Sequence, residues 1–222
     1  MIMEFVEGYQ MSNKLFNGLP RRDQHMVLQA VAEQIQNMRA VKPSIEPEGP
    51  RHGYYGRVNY QGYHPQFQFL TSPPKGLQGP WDTYESFIEA VTRADLDRCM
   101  LKVWDGQSVD HLRQGVLDLQ RGLQALKGHE PVLTHLDLKW ANMIIQPLDD
   151  KEDGKGPASY RAVFLDWEYF GRLPAYIQKY SLGFSLRLPE RFNTHKGEVP
   201  GFTKDQYKTE LEFLKSMHFV AT

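Results

Sequence analysis

The chain has 222 residues, of which 41% are hydrophobic and 24% are charged, values typical of a globular protein with a full core. Its formal net charge of -1 argues against a dedicated nucleic-acid binder and against binding to anionic membranes. The single cysteine, Cys99, excludes an internal disulfide and fits a reducing compartment. Since we find neither a signal peptide nor an apolar run of membrane length, the sequence predicts a cytoplasmic protein.

The first part of the chain is predicted to contain one helix followed by a long irregular segment. Residues 1–6 have the composition of a strand end, which Glu7 and Gly8 interrupt. Apolar residues at three- and four-residue spacing predict a helix over 22–39. Residues 40–80 are rich in proline, glycine and tyrosine and lack helical periodicity, so they are predicted to be irregular. For the tyrosine-rich segment within it, residues 52–70, two interpretations are open: a substrate lid or stacking surface, or plain packing over the helices.

The rest of the chain is predicted to mix helices with short strands. A helix starts at a cap formed by Asp82 or Thr83, and a strongly periodic helix over 108–127 ends at Gly128. Later elements are predicted as strands at 132–136, 143–147 and 161–165, and as helices at about 174–183 and 203–218. The predicted class is therefore α+β and mostly helical.

Two acids and one asparagine follow apolar, strand-like runs. Asp137 follows PVLTHL, Asp166 follows AVFL, and Asn142 lies five residues after Asp137. If the strands at 143–147 and 161–165 pair as a hairpin, Asn142 comes close to Asp166. Hard oxygen ligands of this kind suit Mg²⁺, and a separate aspartate can take a proton from a hydroxyl. The alternative is that these side chains only cap turns and strand ends.

These residues belong to a longer pattern. Residues 135–142 (HLDLKWAN) match H-x-D-x-x-x-x-N, and residues 165–168 (LDWE) end the hairpin that follows. Together they resemble the aminoglycoside phosphotransferase-like kinases, which are relatives of the protein kinases. The predicted helices at 22–39 and 108–127, with the YG…GPW insertion between them, resemble the larger lobe of the fungal-type branch of this family. The resemblance implies that His135 braces the catalytic loop. Lys139 is interpreted either as a phosphate contact or as a solvated loop lysine.

The resemblance also assigns roles to the site residues. It implies that Asp137 is the catalytic base and that Asn142 and Asp166 bind Mg²⁺. It further implies that the opening segment MIMEFVEGYQM is a hinge that meets the adenine of ATP, with Glu4 and Val6 as the cofactor-binding residues. The implied activity is ATP- and Mg²⁺-dependent transfer of phosphate to a small-molecule hydroxyl.

The resemblance covers residues 1–222 as one domain, but it corresponds only to the C-terminal lobe of the family. The expected segments are a hinge remnant (1–11), a helical lobe with an insertion (12–131), a catalytic and metal-binding segment with a small β-hairpin (132–175), and C-terminal helices (176–222). Neither G-x-G-x-x-G nor G-x-x-x-x-G-K-[ST] occurs in the chain, and no early lysine lies in a V-A-I-K strand. The family's N-terminal lobe is therefore expected to be absent from this sequence.

Three interpretations follow from the absence of these kinase motifs from the sequence. The chain is a fragment or mis-started version of a kinase, a non-catalytic pseudokinase-like protein that binds a small molecule or a partner, or an enzyme of another reaction type that uses the same cleft. The expected partner is a small molecule, with no nucleic acid and no membrane. The sequence identifies neither the acceptor nor the oligomeric state.

Overall fold

The computed structural model describes residues 6–42, 53–63, 78–102, 109–150, 157–186 and 200–218. These residues form an α+β architecture, as predicted. The chain divides into two compact units. Unit 1 comprises residues 1–41, 135–167 and 178–206, and unit 2 comprises residues 42–134, 168–177 and 207–222.

The elements within the described residues are as follows. The helices are α1 (Asn13–Gly18), α2 (Arg21–Ala40), α3 (Tyr84–Lys102), α4 (Val109–Ala125), α5 (Ile177–Ser185) and α6 (Lys208–His218). The strands are β1 (Tyr9–Gln10), β2 (Pro131–His135), β3 (Met143–Asp150), β4 (Pro157–Phe164) and β5 (Phe170–Pro174). Single 3₁₀ turns lie at Trp140–Asn142 and Trp167–Tyr169. None of the helices in this part of the chain has the length and apolar character needed to cross a membrane.

Unit 1 is built on a three-stranded antiparallel sheet with the order β1-β3-β4. The predicted hairpin is present, and its register pairs Met143 with Phe164 and Ile145 with Ala162. These four side chains are buried on one face, because alternate residues of a strand point to the same side, and β4 packs against α2. Of the described side chains on the opposite face, Ile144 and Val163 are half-buried and Arg161 is exposed.

The helices of unit 1 follow from local signals. Helix α2 begins one residue before the predicted start at 22, and its periodic apolar residues are buried. Helix α1 was not predicted, because six residues carry too little periodicity to be recognised. Its start is nevertheless specified locally, since the Ser12 hydroxyl accepts a hydrogen bond of 3.1 Å from the backbone N–H of Leu15.

Unit 2 combines the helix pair α3 and α4 with the two-stranded sheet β2–β5. Helix α3 starts directly after the predicted cap, where Thr83 Oγ1 accepts a hydrogen bond of 3.1 Å from the backbone N–H of Ser86. Helix α4 lies within the predicted 108–127. Strand β5 was not predicted, and the helix expected at about 174 starts at Ile177 because Pro174 still belongs to β5. The helix expected at 203 starts at Lys208, after a turn.

The tyrosine-rich segment packs into unit 2 over the residues that the structure describes. Tyr54, Tyr55 and Tyr63 are buried. The ring of Tyr55 stacks on Phe87 with centroids 5.0 Å apart, and the backbone of Tyr55 bridges to Trp81. Of the two interpretations of the segment, packing therefore holds for these three tyrosines, whereas residues 64–70 lie outside the described part.

Candidate functional site

The loop between β2 and β3 holds Asp137 and Asn142 in direct contact. The Asn142 amide nitrogen donates a hydrogen bond of 2.8 Å to the Asp137 backbone carbonyl and one of 3.0 Å to Asp137 Oδ2. Both partners can only accept, so the nitrogen must face Asp137 and the amide oxygen is left for another donor or a cation. Asn142 is buried, so this contact holds the loop in a closed turn.

The hairpin register brings Asp166 to the same place. The backbone carbonyl of Asn142 accepts a hydrogen bond of 2.9 Å from the N–H of Leu165, directly before Asp166. Asp166 is exposed and has a φ of 59°. That left-handed conformation is uncommon for residues other than glycine, and strain of this kind is concentrated at functional sites. The convergence that the hairpin pattern predicted for Asn142 and Asp166 is thus present in the backbone.

Lys139 pairs with the candidate base. Its Nζ lies 2.7 Å from Asp137 Oδ2, and both side chains are partly exposed. The hydrogen bond to Asp137 raises the pKa of Lys139 above its ordinary value. Asp137 Oδ2 therefore receives N–H groups from both Lys139 and Asn142.

His135 connects the two acid-bearing segments from inside the core. The side chain is fully buried, and its Nε2 lies 2.9 Å from the backbone carbonyl of Leu165. A carbonyl can only accept, so Nε2 donates this hydrogen bond. Burial lowers the pKa of His135, because the surrounding protein disfavours the charged form. The geometry is the one that a bracing role requires.

Two residues of α5 contact the same loop, and sequence reasoning missed both. Gln178 bonds to the backbone of His135, and the Ser181 hydroxyl donates a hydrogen bond of 2.7 Å to the carbonyl of Leu136. They lie more than 40 positions along the chain from the loop. Since neither belongs to a local motif, only the tertiary fold identifies them.

The predicted cofactor residues lie in the first segment of the chain. Glu4 is outside the described residues, and Val6 is half-buried just before β1. The structure does not bring Val6 among the three site residues, although its segment runs toward them. Gln10 Nε2 donates a hydrogen bond of 2.8 Å to the carbonyl of Ala141, within the loop that carries Asn142.

Metal-binding capacity in this region rests on oxygen atoms. Among the described residues, no group of three or more histidine, cysteine, aspartate or glutamate side chains gathers as a metal site would. The candidate metal ligands are instead the amide oxygen of Asn142 and the exposed carboxylate of Asp166, and Asp137 is the candidate base.

The chain matches no family model, no curated protein and no solved structure.

Proposed function

We propose that this chain contains the catalytic and metal-binding segment of an ATP- and Mg²⁺-dependent phosphotransferase that acts on a small-molecule hydroxyl. One observation carries the proposal: Asn142 bonds to Asp137 through its amide and to the Leu165–Asp166 segment through its backbone carbonyl. Asp137, Asn142 and Asp166 thus lie at one end of the β3–β4 hairpin. The resemblance of residues 135–142 and 165–168 to the aminoglycoside phosphotransferase-like kinases supports the same reaction.

The donor set fits magnesium. Mg²⁺ prefers hard oxygen ligands and keeps water and substrate phosphates in its shell. Asn142 has its amide nitrogen committed to Asp137, which leaves Oδ1 as a ligand, and Asp166 supplies an exposed carboxylate. These two residues would hold the ion, which when bound would neutralise charge on the transferred phosphate.

Asp137 is suited to the role of base. It is held at its backbone and side chain by Asn142, so its carboxylate has a defined position. A substrate hydroxyl within hydrogen-bond distance of that carboxylate would be oriented and would lose its proton to it. Lys139, paired with the same carboxylate, supplies positive charge beside the position where phosphate would react.

A groove in unit 1 offers space for a nucleotide. A groove of about 510 Å³ lies beside β1 and β3, with a lining that includes Gly8, Tyr9, Gln146, Leu148 and Arg161. Gln146 lies on β3, four residues beyond Asn142, which directly precedes the strand, and this separation corresponds to about 13 Å at the rise of an extended chain. An extended molecule with its base in the groove would direct its other end toward Asn142.

The test measures nucleotide binding and turnover. Titration calorimetry with ATP, with and without Mg²⁺, is expected to show binding that depends on the metal. Phosphate transfer from ATP to a panel of small alcohols, sugars and aminoglycosides is then measured for the wild type. Asp137→Asn and Asp166→Ala are each expected to abolish transfer, because they remove the base and a metal ligand. Asp97→Asn is the control, since Asp97 is exposed on α3.

The candidate functions predict different outcomes of these measurements. Unchanged turnover in either site variant would overturn the assignment of residues. Absence of Mg²⁺-dependent ATP binding in the wild type would favour the non-catalytic binding protein. A metabolite that is converted without being phosphorylated would favour an enzyme of another reaction type.

A further inference from the structure

Gln178 makes two hydrogen bonds to the backbone of the loop that carries Asp137. The side chain is fully buried at the start of α5. Its Oε1 accepts a hydrogen bond of 2.8 Å from the N–H of His135, and its Nε2 donates one of 3.0 Å to the carbonyl of the same residue. A carboxamide is the side chain that can both accept and donate in this way, whereas an ionised carboxylate can only accept.

Two neighbouring side chains make hydrogen bonds to the next backbone carbonyls of the loop. Ser181, one turn further along α5, holds the carbonyl of Leu136, and Asn142 holds the carbonyl of Asp137. Consecutive backbone groups at 135, 136 and 137 are therefore each bonded to a side chain. Gln178 is the member of this set that holds both the N–H and the carbonyl of its residue, so removing it would free the loop most.

We propose that Gln178 is a positioning residue that sets the placement of the Asp137 carboxylate through the backbone of His135. This inference rests on the proposed phosphotransferase function. Gln178 itself has no part in the chemistry, and its effect is exerted through the geometry of the base. A displacement of about 1 Å at a reacting group can reduce a rate by about 100-fold, so loss of this contact should lower kcat strongly.

Two substitutions probe the contact in different ways. Gln178→Leu removes both hydrogen bonds with little change in volume. Gln178→Glu keeps the acceptor for the His135 N–H but, when ionised, sets an oxygen against the His135 carbonyl. Protonation would restore the donor, and a buried carboxyl group takes up its proton at a higher pH than an exposed one. The Glu variant should therefore recover as the pH falls.

Gln24 provides a matched control. It is also buried, on α2, and its Nε2 donates a hydrogen bond of 2.8 Å to the backbone carbonyl of Phe16. The side-chain nitrogen of Gln24 bonds to the carbonyls of Phe16 and Asn17, which lie in α1 rather than in the loop at 135–142. Gln24→Leu and Gln24→Glu should therefore destabilise the fold by a comparable mechanism while leaving the base in place.

The experiment measures Mg²⁺-dependent ATP hydrolysis by the full chain, with water as the acceptor, between pH 5.5 and 8. Thermal unfolding is recorded for every variant. We expect Gln178→Leu to lower kcat by 10-fold to 100-fold, in the range expected for a small displacement of a reacting group, with KM for MgATP within two-fold of wild type. The ratio of kcat for Gln178→Glu to kcat for wild type should rise as the pH falls. Both Gln24 variants should have the kcat of the wild type. The ratio of each variant's kcat to the wild-type kcat should not depend on pH.

The outcomes distinguish the inference from the function on which it rests. Wild-type protein that neither binds MgATP nor hydrolyses it would overturn both. Active wild type together with unchanged kcat in the Gln178 variants would overturn the positioning role alone. Equal losses of kcat in the Gln24 and Gln178 variants would identify a general effect of stability and would also overturn it. If Gln178→Leu does not fold, the pH dependence of Gln178→Glu decides.

Discussion

Single residues around Asp137 act mainly through the backbone. His135 bonds to the carbonyl of Leu165, Gln178 to both backbone groups of His135, and Asn142 to the carbonyl of Asp137. Because each side chain bonds to main-chain atoms, the loop and the end of the hairpin are held as one piece. This leaves the carboxylates of Asp137 and Asp166 exposed enough to meet a ligand while their backbone is held in place.

The burial of His135 predicts a pH dependence of stability. Its pKa is lowered in the folded state, so at acidic pH the unfolded chain binds more protons at this residue than the folded chain. The stabilising contribution is full above the unfolded pKa of about 6.5 and is lost as the pH falls through it toward the lowered folded value. The free energy of unfolding, measured in urea at pH 7.5 and 5.5, should therefore fall less in His135→Gln than in wild type.

His111, which is exposed on α4, supplies the control for that measurement. His111→Gln should retain the wild-type difference in unfolding free energy between the two pH values. A His135→Gln variant with the full wild-type loss would contradict the assignment of the effect to His135.

At the scale of elements, helix α4 contains two glycines in very different surroundings. A Cβ at Gly115 would meet no atom within 4 Å, whereas a Cβ at Gly122 would overlap the ring of Phe213 on α6. At Gly122 the ring of Phe213 therefore packs directly against the backbone of α4. Sequence periodicity identified α4 but not this close approach, because a glycine within a helix carries no signal of what packs against it.

The two glycines predict opposite effects of the same substitution. Gly115→Ala should raise the free energy of unfolding by about 0.5–1 kcal/mol, since alanine is the better helix former. Gly122→Ala should lower it by about 1–3 kcal/mol, because the methyl group overlaps the ring of Phe213. Urea denaturation of both variants tests this pair, and adding Phe213→Leu to Gly122→Ala should recover part of the loss. Equal stabilisation by both alanines would contradict the packing of α6 on α4.

At the scale of the whole molecule, each unit joins segments that are distant in sequence. In unit 1, Lys179 is 1% exposed, and its Nζ donates hydrogen bonds of 2.8–2.9 Å to the carbonyls of Thr203, Lys204 and Gln206. An ammonium group has three N–H donors, so these carbonyls use them all. Lys179 thus connects the turn at 203–206 to α5. The same helix makes hydrogen bonds to the loop that carries Asp137.

Loss of the hydrogen bonds made by Lys179 should lower the free energy of unfolding. Lys179→Met keeps much of the side-chain volume but leaves three carbonyls without their donor, so the free energy of unfolding should fall by at least about 2 kcal/mol. Lys204→Met, at an exposed position, should change it by less than about 0.5 kcal/mol. The midpoint of urea denaturation reports both, and equal midpoints for the two variants would contradict the role of Lys179.

The sequence by itself determined the long helices α2 and α4, the β3–β4 hairpin and the backbone approach of Asn142 to Asp166. Helices α2 and α4 were predicted because repeated apolar spacing over many residues reflects burial on one face. The β3–β4 hairpin and the approach of Asn142 to Asp166 were predicted because an antiparallel register brings the start of one strand opposite the end of the next. The assignment of these residues to phosphate transfer stays a prediction.

Only the tertiary structure decided the features that depend on distant parts of the chain. Strand β5 and helix α1 are too short for periodicity, and burial of Tyr54 depends on what covers it. The same holds for Gln178 and Lys179, whose backbone partners lie 43 and 24–27 positions away. A polar side chain carries no sequence signal for such a partner, because burial makes its hydrogen bond necessary and only folding determines which backbone group is within reach.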